Sequence, residues 1–193
     1  GLGDVYKGQA QVFKWLFRIA GAMVVLAVMG ITVVYFLLSR SLPEYDKTLA
    51  VNGLSSKVEI VRDHSNVPHV FGGTDLDTFF GLGYAHAQDR LWQMVMLRRT
   101  VQGRLSEVFG TQTVEIDKVL RRFDLYGQAR DSVSVQDAWT QEALRAYSRG
   151  VNARLNEINE EARGRGAPEL FLFEFPISPW QPADSIAIVK LLS

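Results

Sequence analysis

The sequence contains no cysteine, which removes three kinds of chemistry at once. Without thiols the chain has no disulfide, no thiolate nucleophile and none of the usual cysteine-ligated zinc sites. An excess of either charge is also missing, because 21 lysine and arginine residues balance 21 aspartate and glutamate residues. Since proteins that bind nucleic acid usually carry a basic surface, this balance argues against nucleic acid as a partner.

Histidine is scarce as well, with His64, His69 and His86 as the only imidazoles. None has a second histidine four residues away beside a glutamate, as a helical zinc-protease motif requires, so we expect no metal site. His86 and Asp89 lie three positions apart and could form a base and its orienting carboxylate, although such a pair is more often structural. The residues alone therefore offer no complete catalytic set.

A segment of twenty residues without a charge runs from Ile19 to Leu38. At about 1.5 Å per residue in a helix, it matches the roughly 30 Å hydrocarbon core of a bilayer. A cleavable signal peptide would have a shorter apolar stretch and a small-residue cleavage site, so an uncleaved transmembrane signal anchor is favoured. Basic residues flank the segment on both sides and barely distinguish the two orientations.

These features predict four regions. Residues 1–18 precede the span, and residues 1–9 among them resemble non-native sequence; residues 19–38 form the span, and residues 39–56 a tether. Residues 57–193 form one folded domain, which we expect to be truncated because Lys190-Leu191-Leu192-Ser193 lies in an apolar helical pattern without a stop signal.

The domain begins with a predicted hairpin and a long helix. Residues rich in β-branched side chains flank Asp63-His64-Ser65-Asn66, and Asn66 can adopt the left-handed conformation that the turn needs. Thr74, with Asp77 three residues later, gives the helix a capping-box-like start. Its apolar residues recur every three or four positions: Leu76, Phe80, Tyr84, Ala87, Leu91, Met94, Leu97, Val101 and Leu105.

The remaining elements follow from weaker patterns. A less regular helical stretch is predicted around residues 116–130, and a clear helix begins at Ser134 with Asp137 at its cap. The aromatic run at residues 170–175 fits a strand or a packed loop, and a last helix begins at about Ala183 or Asp184. The basic residues of the long helix, Arg98, Arg99 and Arg104, are predicted to form a solvated face, with contacts to neighbouring carboxylates as the alternative.

Three stretches resemble the start of the α chain of penicillin acylases and acyl-homoserine-lactone acylases: Val58–Asp63, Asn66–Val70 and GLGYAHAQDRLWQMVMLRRTVQGRLSEVFG from Gly81 to Gly110. The likeness returns at Trp180–Ser185, and one departure is Asn66, where the family usually has glycine. Within the stretches we expect five family signature positions to be structural, namely His69, Asp89, Arg90, Gln93 and Arg98. No catalytic residue transfers to this chain.

The resemblance implies an α+β fold, the N-terminal-nucleophile hydrolase (αββα). This chain would supply its mainly helical α-chain portion and a short β-hairpin, preceded by one transmembrane helix. In the family, a precursor outside the cytoplasm cuts itself into α and β chains, and the β-chain N-terminal serine attacks a linear amide. We therefore expect an inactive fragment of an acylase that cleaves N-acyl-homoserine lactones, β-lactam side chains or similar amides.

The same resemblance implies the partners and the location. The partners are the protein's own β chain, a small acylated-amine substrate and the membrane, with the N-terminus cytoplasmic and the domain periplasmic or extracellular. Only Leu192 and Ser193 approach the family's acyl pocket. We expect no cofactor in this fragment, whereas the full-length protein could hold a structural calcium ion.

Two alternatives remain open at this stage. The chain could be a membrane-tethered helical interaction module without catalysis, or a degenerate acylase homologue that lacks the nucleophile. If the protein is an acylase or a degenerate acylase homologue, we expect residues 57–193 alone to expose an apolar stripe that normally packs on the missing chain. That fragment should therefore aggregate or stay loosely folded.

Overall fold

The structure is a computed structural model that describes residues 2–39, 44–160, 166–171, 173 and 176–193. It divides into two compact units, residues 1–40 and residues 41–193. The first unit consists of helix α1 (Leu2–Ser39). Within α1, the 24 residues Phe13–Phe36 are apolar and long enough to cross a membrane, and none of them is buried in the chain. This segment overlaps the predicted span at residues 19–38, and a signal sequence near the N-terminus can meet the same criteria of length and composition.

The second unit is mainly helical and contains a two-stranded sheet, as the sequence predicted. Its elements are β1 (Glu59–Arg62), β2 (Pro68–Phe71), α2 (Asp75–Val101), α3 (Ser106–Phe109), a 3-10 turn (Gly110–Thr113), α4 (Val114–Phe123), α5 (Leu125–Ser134), α6 (Ala138–Glu160), a 3-10 turn (Pro168–Phe171) and α7 (Pro182–Leu192). The described residues contain no second sheet, so the stacked sheets of the complete fold stay a prediction for the full-length protein.

The hairpin forms where the β-branched residues predicted it. Strands β1 and β2 pair antiparallel, with Ile60 opposite Val70. Asn66 has φ 63°, the left-handed conformation expected for it. The Asp63 carboxylate stabilises the turn by accepting from the backbone N–H groups of Ser65 and Val67 at 2.8 and 3.0 Å.

Helix α2 begins at its predicted cap, since Thr74 accepts from the Asp77 backbone N–H at 3.1 Å. In a complete capping box the Asp77 side chain would accept from the Thr74 backbone N–H. Here the Asp77 carboxylate accepts from the Thr74 hydroxyl instead. The helix ends at Val101, so Leu105 lies outside it. Arg90, at φ −133° and ψ 22°, kinks the helix at a position that the apolar period did not predict.

The core lies between α2 and α6, whose apolar stripes face each other. Glycine allows the close crossing: a Cβ atom at Gly83 would overlap the backbone carbonyl of Tyr147, and one at Gly150 would overlap that of Phe80. The buried side chains of this core are Ala87, Leu91, Met94, Val95, Val151, Leu155, Ala167, Leu170 and Trp180. A smaller cluster of Val101, Ala129 and Ala187 joins α2, α5 and α7.

The weaker patterns are resolved as follows. The stretch at residues 116–130 is two helices, which meet at Asp124 in the left-handed region, φ 48°. Asp137 accepts from the Thr140 N–H at 2.9 Å, which confirms the predicted cap. The predicted start at Ser134 was wrong, because Ser134 is the last residue of α5 and α6 begins at Ala138. The aromatic run begins as a 3-10 turn, Pro168–Phe171, rather than a strand; residues 172, 174 and 175 lie outside the described residues, as do 161–165 after α6.

Residues 44–56, predicted to be a tether, contact the folded unit. Lys47 forms an ion pair with Glu157 on α6. Ser55 donates through its backbone N–H and its hydroxyl to the Asp77 carboxylate, at 2.9 and 2.6 Å. The described part of this segment is therefore held by charged and polar groups of α2 and α6.

Candidate functional site

Two signature residues lie where other elements meet α2, and Asp89 is the first. Both terminal nitrogens of Arg62 on β1 donate to the Asp89 carboxylate, and Nη2 also donates to the Gln88 side-chain oxygen at 3.0 Å. The Arg62 guanidinium lies 4.0 Å from the ring centre of Tyr45, in cation–π geometry. These contacts fix the hairpin and residue 45 on the helix.

Arg98 is the second, and it is 6% exposed, so the predicted solvated face was wrong for this residue. Its Nη1 donates to the carbonyl oxygen of Ser178 at 3.0 Å and to the carboxylate of Asp184 at 3.4 Å. Arg99 is also buried and donates to Glu107, whereas Arg104 is exposed. The alternative interpretation, contact with carboxylates of neighbouring segments, is therefore the correct one for Arg98 and Arg99.

Asp184 is the centre of a polar network that joins α2, α5 and α7. It is 1% exposed, and it accepts from the Tyr126 hydroxyl at 3.0 Å and from the Gln181 backbone N–H at 2.7 Å. Burial, with the Asp184 charge next, raises the pKa of Tyr126 and keeps its phenol protonated as the donor. We call Arg98, Tyr126, Gln181 and Asp184 the Asp184 network.

The loop before α7 is fixed by a second set of hydrogen bonds. The Asn152 side chain on α6 donates to the Trp180 carbonyl at 2.9 Å and accepts from the Trp180 backbone N–H at 2.6 Å. The indole N–H of Trp180 donates to the Ser185 hydroxyl at 3.0 Å. Since Trp180 is 3% exposed, the start of α7 is tied to the main core.

The other end of α7 carries the two residues that we predicted to approach the acyl pocket. Leu192 is 70% exposed and Val189, one turn earlier, is 67% exposed, so two apolar side chains stand uncovered on one face. Ser193 is exposed, and its hydroxyl donates to the Lys190 carbonyl at 3.2 Å. An apolar group or a further segment of protein would find an open surface here.

The histidine that sequence spacing singled out binds a tyrosine. His86 Nδ1 lies 3.0 Å from the Tyr147 hydroxyl, and the Asp89 carboxylate is bound by Arg62. Burial lowers the pKa of His86, although the negative charge of Asp89 partly offsets this by raising it. Burial also raises the pKa of Tyr147 to about 12. No serine or threonine hydroxyl among the described residues donates to an imidazole, so His86 activates no nucleophile there.

The remaining signature residues are at the surface. His69 on β2 lies 3.3 Å from the Asp63 carboxylate, and Arg90 and Gln93 are exposed on α2. The geometry thus places Asp89 and Arg98 in separate networks and brings the other three to neither. Within the part of the chain that the structure describes, no three His, Asp or Glu side chains converge to hold a metal ion.

Sequence reasoning missed several residues of these networks. Asp184 and Tyr126 were not singled out, nor was Glu157, which accepts from the Tyr84 hydroxyl at 2.6 Å and pairs with Arg154 at 2.9 Å. The spacing of Gln181 and Asp184 around Pro182 was a signal for a capped helix start. The contacts of Tyr84 with Glu157, 73 positions apart, leave no local signal.

Comparisons with known proteins show similarity to a family of acylases. Residues 57–193 match the model of the penicillin amidase family. The chain is 36% identical over 156 residues to penicillin acylase 2 proenzyme of Pseudomonas sp. strain SE83, covering 80% of this chain and 19% of that protein. It is 35% identical over 153 residues to the acyl-homoserine lactone acylase QuiP of Pseudomonas aeruginosa, covering 79% of this chain and 18% of that protein. The chain thus spans less than a fifth of the length of these relatives.

A solved structure shares the fold. A thermostable penicillin G acylase chain from Alcaligenes faecalis superposes with a TM-score of 0.63 at 30% identity. The match covers 70% of this chain and 71% of that chain, so the two chains are of nearly equal length.

Proposed function

Because the chain belongs to the penicillin amidase family, we propose that the full-length protein is an acylase that hydrolyses the linear amide between an acyl chain and a small amine. The single observation that carries this proposal is the family match over residues 57–193, the whole of the region after the first 56 residues. Relatives named as penicillin acylases and as acyl-homoserine lactone acylases support β-lactam side chains or N-acyl-homoserine lactones as the substrate class.

The nucleophile lies on a second chain, as the N-terminal serine that a cut in the precursor exposes. Two observations support this. No serine or threonine hydroxyl among the described residues donates to an imidazole, so a nucleophile of the serine–histidine type would have to come from elsewhere. The solved acylase chain is about as long as this one, whereas the curated relatives are about five times longer than the matched part.

In this proposal the present chain contributes residues that line the substrate pocket and residues that stabilise the fold, and it contributes no reacting group. The exposed apolar end of α7, with Leu192 and Ser193, forms part of the wall that contacts the acyl group. The described residues offer no group of three His, Asp or Glu side chains, so a structural calcium ion in the full-length protein would draw carboxylate ligands from other parts of the polypeptide.

Helix α1 is a single-pass signal anchor that leaves residues 1–18 in the cytoplasm and the folded unit outside it. The 24-residue apolar segment supports an anchor, since about 20 residues suffice to span a bilayer. Protease added to intact cells with a permeable outer membrane should digest the folded unit and spare an epitope placed before Phe13. Protection of the folded unit would reverse the orientation.

The proposed function is tested on the complete gene, expressed with α1. Intact-mass and N-terminal analysis should find two chains, the second beginning with serine, and the preparation should release the amine from an N-acyl amide. Substituting that serine by alanine should leave the precursor uncut and inactive. A gene that ends near Ser193 would replace the enzyme by a tethered interaction module, and an uncut, inactive full-length product would indicate a degenerate homologue.

A further inference from the structure

Buried polar contacts hold the start of α7. Asp184 is the third residue of the helix and is almost completely buried. Arg98 reaches it from α2 and Tyr126 from α5, so three elements meet at one carboxylate. A buried charge that loses a partner is costly, so this arrangement permits few alternative orientations of the helix.

The far end of α7 is covered on one side, where Ala187 and Leu191 join the smaller cluster, and is open on the other. Val189 and Leu192 are exposed and apolar, and Leu192 lies about 12 Å beyond Asp184 along the axis. A tilt of about 10° at Asp184 would therefore move the helix end by about 2 Å. Since misplacement by about 1 Å can cost about a hundredfold in rate, small changes at the start of α7 matter at its end.

From this geometry we infer that the Asp184 network positions the acyl-contacting end of α7 and so sets the preference for acyl-chain length. The inference rests on the proposed function, and it names Tyr126, Arg98 and Asp184 as positioning residues that do not touch the substrate. Tyr126 is the most informative of them, because its hydroxyl is the one contact from α5 to the carboxylate given by the described side chains.

The chain offers a matched control. Tyr84 also donates its hydroxyl to a buried carboxylate, Glu157, but that bond joins α2 to α6 and does not involve α7. Tyr126→Phe and Tyr84→Phe therefore remove the same chemical group and the same type of hydrogen bond. Only Tyr126→Phe removes a hydrogen bond to α7.

The first experiment measures hydrogen exchange in the full-length protein, which requires no activity. Tyr126→Phe should speed the exchange of α7 backbone amides about tenfold, the factor for a hydrogen bond of ordinary strength to a charged group. Tyr84→Phe should leave α7 unchanged and affect α6 around Glu157. Equal exchange of α7 in both variants would overturn the positioning role.

The second experiment compares kcat and KM for two N-acyl-homoserine lactones with short and long acyl chains. Tyr126→Phe should change the ratio of their kcat/KM values about threefold or more, mainly through KM, and Tyr84→Phe should preserve it. Asp184→Asn should shift the ratio in the same direction and further, while Arg98→Lys should retain part of the wild-type preference. Uniform losses without a change in the ratio would overturn the specificity role.

The two proposals fail in different ways. A wild-type protein that cleaves no acyl amide refutes the proposed function and the specificity role together, and the exchange experiment still decides whether Tyr126 positions α7. An active wild-type enzyme whose variants keep the same chain-length ratio refutes only this inference.

Discussion

Arg62 on β1 donates to both carboxylate oxygens of Asp89 on α2, at 3.0 and 2.7 Å. The two side chains are 10% and 23% exposed, so the pair is largely shielded from solvent. The same guanidinium also donates to the Asn66 carbonyl at 3.1 Å, which connects the hairpin turn to the helix. The pair lies directly before the kink at Arg90 and fixes the hairpin at that point.

Arg62→Lys should destabilise the full-length protein by about 1.5–3 kcal/mol, because a lysine cannot supply the two parallel donors of a guanidinium. Chemical denaturation of the complete protein measures the change. Arg104→Lys is the matched control, since Arg104 also donates two nitrogens to one carboxylate, Glu107, but the two side chains are 45% and 43% exposed. The control should cost about 0.5 kcal/mol or less. Equal losses in the two variants would show that shielding of the Arg62 pair contributes nothing.

The features that sequence could predict are those with local signals. The turn at Asn66, the cap at Thr74 and the apolar stripe of α2 each depend on residues a few positions apart, and the structure confirms them. The Arg98–Asp184 pair joins residues 86 positions apart, so no local pattern could reveal it. An arginine on a helix is usually solvated, and tertiary contacts reversed that expectation here.

In the candidate site, too, the contacts between residues far apart in the sequence could not be predicted. Resemblance identified Asp89 and Arg98 as important positions, but it could not say what either contacts. Their partners, Arg62 and Asp184, lie on other elements and become neighbours only after the chain folds. The kink at Arg90 was equally hidden, because the apolar period of α2 continues through it.

Gly83→Ala should destabilise the full-length protein by about 3 kcal/mol, because the new methyl group would overlap the backbone carbonyl of Tyr147 and force α2 and α6 apart. Gly81→Ala is the control on the same helix. The nearest atoms to its methyl group would be the side-chain methyls of Val58 and Val70, which would have to shift but belong to no backbone, and alanine gains helix propensity of about 1 kcal/mol. Thermal unfolding distinguishes the two; a Gly81 variant as unstable as the Gly83 variant would argue against a rigid helix crossing.

Asp77 predicts a loss of stability in acid. Hydrogen bonds from Ser55, followed by those from Ser56 and Thr74, hold the pKa of Asp77 far below its usual value. A depressed pKa means that the folded protein binds a proton less readily than the unfolded chain, so the contribution is present above about pH 4 and is lost as pH falls below it.

Asp77→Asn should therefore lower the denaturation midpoint of the full-length protein at pH 7 and flatten its dependence on pH below about pH 4. Glu115→Gln serves as the control, because Glu115 is exposed and its contact is an ion pair with exposed Lys118. That control should keep the wild-type pH profile. If the denaturation midpoint of the Asp77→Asn variant ran parallel to that of the wild type at all pH values, this carboxylate would not contribute to the acid sensitivity.

Helix α4 carries an apolar face that the described residues leave uncovered. Ile116, Val119 and Phe123 recur at helical spacing and are all exposed, whereas the stripes of α2 and α6 cover each other. Such a face is expected to pack on the remainder of the polypeptide, since exposed stripes of this kind favour association.

Residues 44–193 expressed alone should therefore aggregate or bind a hydrophobic dye, and a sharp cooperative melt from a soluble monomer would contradict this. In the full-length protein, Ile116→Glu combined with Phe123→Glu should weaken association with the proposed second chain about a hundredfold or more, because each apolar side chain contributes about 1.5–3 kcal/mol when covered. Val135→Glu replaces an exposed valine outside this face and should leave association unchanged. Copurification of the two chains measures the difference, and equal recovery in all variants would place the contact with the second chain elsewhere on this unit.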